Sequence, residues 1–170
     1  MRSRTSRRVV PGLLVIGSIF GMAGSFVPSP SLRGLFWGVD GISLIIASAL
    51  LTLHYFRRGN DLVAAGFLVF LAGQTLIVSC SAMSLEHAEP FFAAGTGLWA
   101  AALALISAPR TMPAWNRVLG AFAAMLFAVV ALHGFMNFPL TPLSRPVPFF
   151  AYPFLVATLL GWAWVYSREV

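Results

Sequence analysis

Few side chains in this sequence can do chemistry, and their positions sort them into three groups. The first is Asp40 with Gln74, two polar residues set inside long apolar runs. In hydrocarbon such a side chain is expensive unless it is paired, faces another helix or meets water, so both are candidate members of a ligand or ion path. Asp40 lies about five residues into its run, roughly 7 to 8 Å below the helix end at 1.5 Å per residue. An acid there is favoured by the helix dipole, and Arg33 is its nearest ion partner in the sequence. Gln74 falls near the middle of its run, where an unpaired amide costs on the order of 1 to 3 kcal/mol, so it must face another helix.

The second group is Glu86, His87 and Glu89 in the turn before Pro90, together with His133 and Asn137 at the end of a later run. Two imidazoles and a carboxylate are a divalent-metal set, and a histidine beside a carboxylate is an acid/base pair. The spacing, however, is not of the HExxH type that sets two ligands on one helix face, and a turn in contact with water is polar in any case. His87 and His133 are therefore weak metal candidates, and with Glu86 and Glu89 weak catalytic candidates. No metal, cofactor or catalytic residue is assigned.

The third group is His54 beside Arg57 and Arg58. A bis-histidine haem needs two imidazoles facing each other at similar depth, but His54 falls at the opposite membrane face from His87 and His133. His54 reads instead as a helix C-terminal residue, where partial positive charge is welcome. The lone Cys80 excludes an intramolecular disulfide and any multi-cysteine metal motif. With Ser79, Ser81 and Ser84 it gives one helix end a soft polar side, although serine hydroxyls also satisfy their own backbone.

The elements that must carry these residues are six apolar stretches, 10–27, 35–56, 62–84, 91–108, 118–136 and 147–166. Each has about the length an α-helix needs to cross a hydrocarbon layer roughly 30 Å thick. The composition agrees: 59% of the 170 residues are hydrophobic and 9% charged, too little polar surface to face water all round. Turn chemistry marks the breaks. Pro28 and Pro30 stop the first stretch, Gly59-Asn60-Asp61 joins the second to the third, Pro90 suits a first helical position, and Pro109 and Pro113 bound a short loop. Pro139, Pro142, Pro146 and Pro148 stiffen the last connection. The first stretch also has the make-up of a secretory signal peptide, and Ser6-Arg7-Arg8 is similar to part of a twin-arginine signal. It is read as a span because another long apolar segment follows at once.

The net charge of +6 does not indicate a nucleic-acid partner, because the basic residues are scattered over helix ends rather than gathered on one face. All eleven are arginine, which with abundant Ala and Gly fits a GC-rich bacterial genome. Arg2, Arg4, Arg7, Arg8, Arg57, Arg58, Arg110, Arg117 and Arg168 fall on one side of the six spans, and only Arg33 and Arg145 on the other. Basic residues are retained on the cytoplasmic side, so both termini are expected there.

In lipid, helices associate through small residues that let backbones approach. Gly17 with Gly21, Gly34 with Gly38, Gly120 with Ala124 and Ala128, and Ala157 with Gly161 have the required spacing and are expected to pack helices within the chain rather than form a dimer interface. The aromatics Phe36, Trp37, Phe91, Phe92, Phe149, Phe150 and Tyr152 near one end, and Tyr55, Phe56, Trp115, Trp162, Trp164 and Tyr166 near the other, read as interfacial belts. A faint echo of Leu53-His54-Tyr55-Phe56 in Leu132-His133-Gly134-Phe135 is what an inverted repeat of two three-helix halves, a common transporter plan, would leave.

The expected protein is thus an all-α integral membrane protein, one six-span transmembrane-helix bundle over residues 1–170 with no soluble domain, placed in the bacterial cytoplasmic (inner) membrane. The leading function is non-enzymatic: a small-solute permease, or an accessory or sensory membrane module. The alternatives are an intramembrane enzyme acting on a lipid or quinone at the periplasmic face, and a structural subunit. The lipid bilayer is the one partner expected outright; a homo-oligomer or larger membrane complex is compatible with the small-residue stripes, and the ligand is unspecified.

Overall fold

The computed structural model describes residues 4–80, 83, 85–136, 138 and 140–169, and the side chains of all of these except 4–7 and 85–87. Six α-helices make up the fold: α1 Arg4–Gly24, α2 Pro30–Phe56, α3 Asp61–Cys80, α4 Leu85–Ser107, α5 Ala114–Phe135 and α6 Tyr152–Glu169. Four of them, Pro30–Phe56, Asp61–Cys80, Ala88–Ser107 and Ala114–Phe135, are long and apolar enough to cross a membrane. The chain is a helical membrane protein. The apolar parts of α1 and α6 are shorter or more polar than these four.

Local chemistry sets the helix ends. Ser29 caps α2 by accepting from the Leu32 N–H, and Pro30 takes the first helical position, where its missing N–H costs nothing. The helix therefore begins five residues before the expected start at 35 and runs 27 residues, about 40 Å. At its other end Gly59 adopts φ +70°. The Gly59 and Asn60 amides donate to the carbonyls of Phe56 and Tyr55, closing the last turn with the left-handed residue that favours glycine. Asp61 then opens α3 in the dipole-favoured position. Two further boundaries differ from expectation because of proline. Pro90 lies inside α4, five residues past its start, rather than at its first position. Residues 147–151 form hydrogen-bonded turns instead of the start of a span, with Phe149 N–H to Ser144 O and Ala151 N–H to Pro148 O, so α6 begins at Tyr152.

Each helix packs on the next, and α6 closes back on α1, so the six form a ring with alternating directions. One end of the ring gathers the C-terminal ends of α2 and α6, where Arg58 meets Glu169, and the start of α5, where Trp115 meets Trp164. Arg57, Arg58, Arg110, Arg117 and Arg168 sit at this end. The guanidinium of Arg117 donates to the carbonyls of Ser107 and Ala108 at 2.8 and 2.9 Å, capping the C-terminus of α4. The opposite end brings the loop after α1 against the segment before α6 through Phe26 and Phe149, and holds Arg33 and Arg145.

The axis of the ring is filled by aromatic rings in one connected chain. Tyr55 stacks on Phe67, Phe67 and Phe70 both meet the edge of Trp162, Phe70 stacks on Trp99, and Trp99 meets Phe127, which meets Tyr152. Centroid separations run from 4.8 to 5.9 Å, the range of favourable edge and offset contacts. This corrects the belt assignment for four of its thirteen members. Tyr55, Trp162, Tyr166 and Phe92 are buried, while Phe56, Trp115, Trp164 and Phe91 are exposed. Adjacent helical residues point about 100° apart, so one of each neighbouring pair turns inward.

The small-residue positions separate in the same way. Gly17 lies against Leu44 of α2, and a Cβ on Gly21 would stand 3.0 to 3.2 Å from the Asp40 carboxylate. Gly120 lies against Ser107 and Gly161 against Asn116, both buried, and Ala157 is half-buried. Gly34 and Gly38 differ: a Cβ on either would meet nothing within 4 Å among the described residues, so they bring no helix close. Close approaches also occur at glycines outside the expected stripes. Gly73 of α3 and Gly95 of α4 face each other, and Gly41 presses on Val78.

Candidate functional site

Asp40 and Gln74 meet. The Gln74 Nε2–H donates to Asp40 Oδ2 at 3.4 Å across the α2–α3 contact. Gln74 is fully buried, and its Oε1 has no partner. Asp40 is held from the other side by α1, whose Gly21 leaves room for the carboxylate that any side chain there would take. No cation comes within ion-pair distance of Asp40 among the described residues. Arg33, its partner in the sequence, instead points its guanidinium 5.9 Å over the Trp37 ring and toward the Pro28 carbonyl.

The exposure that Asp40 keeps is to a cavity of about 400 Å³ between α1, α2, α3, α4 and α6. Its upper lining is Pro30, Arg33, Met83, Glu89 and residues 140–143, at the Arg33 and Arg145 end of the ring. Its lower lining is Leu44, Trp99, Leu155 and Leu159, all buried. Below these the Phe70–Trp162 contact closes the axis. The walls are mainly apolar, which is the make-up of a small-molecule site with a few converging polar groups.

Those polar groups include two that sequence reasoning passed over. The Trp99 indole Nε1–H and the Ser18 Oγ both belong to cavity-lining residues, and both are buried without a hydrogen-bond partner. An orphaned buried donor costs about 1 to 3 kcal/mol. Trp99 sits in an Ala- and Leu-rich run and Ser18 inside a Gly-rich stripe, so neither carries a polar signal of its own; only the helix rotation aims them inward. Cys80 also lines the cavity, with its thiol against the carbonyls of Leu76 and Ala88.

Of the histidine and carboxylate constellation, only Glu89 and His133 have described side chains, and they do not share a site. Glu89 lines the Asp40 cavity and also a cleft of about 420 Å³ between α4 and α5. His133 lines neither: its Nδ1 is 2.9 Å from the Val129 carbonyl one turn back, and its exposed ring lies against Phe138. The side chains of Glu86 and His87, and Asn137 as a whole, lie outside the described residues. Among the described residues no group of three His, Cys, Asp or Glu side chains is placed to hold a metal ion.

His54 is part of a polar clasp at the other end. Its Nε2 is 3.2 Å from Glu169 Oε2, Arg58 donates to the same carboxylate oxygen, and the imidazole meets the rings of Tyr55 and Tyr166 edge-on. The echoed positions His54 and His133 thus occupy different surroundings.

Compared with protein-family models, with curated proteins and with solved structures, the chain matches none.

Proposed function

We propose that this is a non-enzymatic bacterial inner-membrane protein that binds a small solute in the Asp40 cavity and passes it across the membrane. On this reading all six helices span, both termini are cytoplasmic, and the cavity opens to the periplasm. The arginine distribution supports the orientation, nine at one end against two at the other. The observation that carries the function is the cavity itself: about 400 Å³, ending on a carboxylate that lacks a counter-ion among the described residues, in a bundle whose helix sides expose many large apolar residues. A packed structural subunit has no use for such a hollow, because unfilled volume and an unpaired acid both destabilise. The aromatic axis beneath supplies the closed side that a carrier needs while the other side is open.

Cys80 gives a direct test, as the single cysteine and a lining residue. In intact cells the membrane-impermeant reagent (2-sulfonatoethyl) methanethiosulfonate is expected to label Cys80, and a Cys80→Ala variant to stay unlabelled. Labelling that requires permeabilised cells would place the cavity on the cytoplasmic side and overturn the orientation. Cytoplasmic reporters fused at Met1 and Val170 should be active and periplasmic ones silent.

A further inference from the structure

The cavity's chemistry specifies the class of solute. Among the described residues two acids, Asp40 and Glu89, line it against one base, Arg33. Arg33 is already engaged above Trp37 at the rim, leaving the deeper Asp40 without a cation. A carboxylate in a low-dielectric setting with one long hydrogen bond is stabilised strongly by an incoming positive charge and repels an anion. Phe92 and Trp99 on the same walls supply apolar surface for the body of such a solute.

We propose that the cavity is a site for an organic cation, an amine or quaternary ammonium carrying an apolar group, with Asp40 as its counter-ion. This rests on the solute-binding reading above. Arg33, a like charge at the entrance, acts against the ligand and sets how readily it enters. The two charged residues therefore have opposite signs of effect, which a merely structural role for either would not produce.

The test is equilibrium binding of radiolabelled benzyltrimethylammonium to the full chain in nanodiscs of diglucosyl diacylglycerol, a lipid with neither net charge nor an ammonium group. Saturable binding is expected, displaced by benzylamine and not by benzenesulfonate. Asp40→Asn should weaken it by about tenfold or more, or ~1.4 kcal/mol, and Arg33→Gln should strengthen it by about twofold. If Asp40→Asn fails to fold, the Arg33→Gln arm still decides, because an anion site predicts weaker binding in that variant. Unchanged affinity in both variants, or tighter binding of benzenesulfonate, would overturn the proposal. Protection of Cys80 from thiosulfonate labelling separates the two levels of inference. Protection by benzyl alcohol or benzenesulfonate, without protection by the cation, removes the cation assignment and leaves a solute site. Protection by none of the three removes both.

Discussion

Asp40 is the residue on which the proposed activity turns, and Gln74 is what fixes it in place. The Gln74 amide uses its donor on Asp40 and leaves its acceptor orphaned in the core. Its two halves therefore pull stability in opposite directions. Replacing it by leucine removes an unsatisfied buried acceptor worth about 1 to 3 kcal/mol and also removes the donor that orients the carboxylate. The expected outcome for Gln74→Leu is an unfolding temperature equal to or above wild type, with benzyltrimethylammonium binding weakened about two- to tenfold by the freed Asp40 rotamer. Thermal unfolding and the nanodisc binding assay check the two halves separately; lowered stability with unchanged binding would make Gln74 a packing residue alone. Both residues stand out in the sequence because a polar group in an apolar run is conspicuous. That they touch is not legible there, since 34 residues and a helix turn separate them. Trp99 and Ser18 left no mark at all, because indole and hydroxyl groups are ordinary members of apolar helices.

At the scale of the helices, close approach is decided by rotation about each helix axis. Spacing in the sequence cannot report that rotation. In an Ala- and Gly-rich chain small residues fall four apart on many faces. Gly17 and Gly21 face α2, whereas Gly34 and Gly38 have the same spacing and no neighbour. A close α3–α4 approach, Gly73 against Gly95, involves glycines unmarked by any stripe. A Cβ on Gly73 would stand 2.9 Å from Trp99 Cδ1 and 3.0 Å from the Gly95 carbonyl. The carbonyl cannot move without shifting α4, so Gly73→Ala is expected to destabilise by about 1 to 3 kcal/mol through strain. Gly38→Ala should be neutral or stabilising by up to about 1 kcal/mol, from the better helix propensity of alanine. Thermal or denaturant unfolding in micelles distinguishes them, and equal effects would mean the α3–α4 seam adapts freely. Helix number and most breaks were legible, because apolar length and Gly or Pro chemistry are local. The ends of α4 and α6 were not, because Pro90 is carried inside α4 and the prolines near 146 and 148 form turns rather than a helix start.

For the molecule as a whole, α2 and α6 are not neighbours in the ring, yet their C-terminal ends are tied by Glu169 with Arg58 and His54. The tie lies at the end opposite the cavity's upper lining. On the carrier reading proposed above, this end must loosen when the other closes, and the clasp would then hold the outward-open form. Its components are partly exposed, which limits the Glu169 contacts to about 1 kcal/mol. That corresponds to roughly a fivefold shift between two forms. Glu169→Gln and Arg58→Gln are therefore expected to slow Cys80 labelling from the periplasmic side by up to about fivefold, as the outward-open population falls. Arg57→Gln is the control, since Arg57 is exposed and makes no ion pair among the described residues. Labelling rates in intact cells, normalised to folded protein, read the effect. Equal rates in Glu169→Gln and Arg57→Gln would mean the clasp fastens the bundle without biasing which end is open.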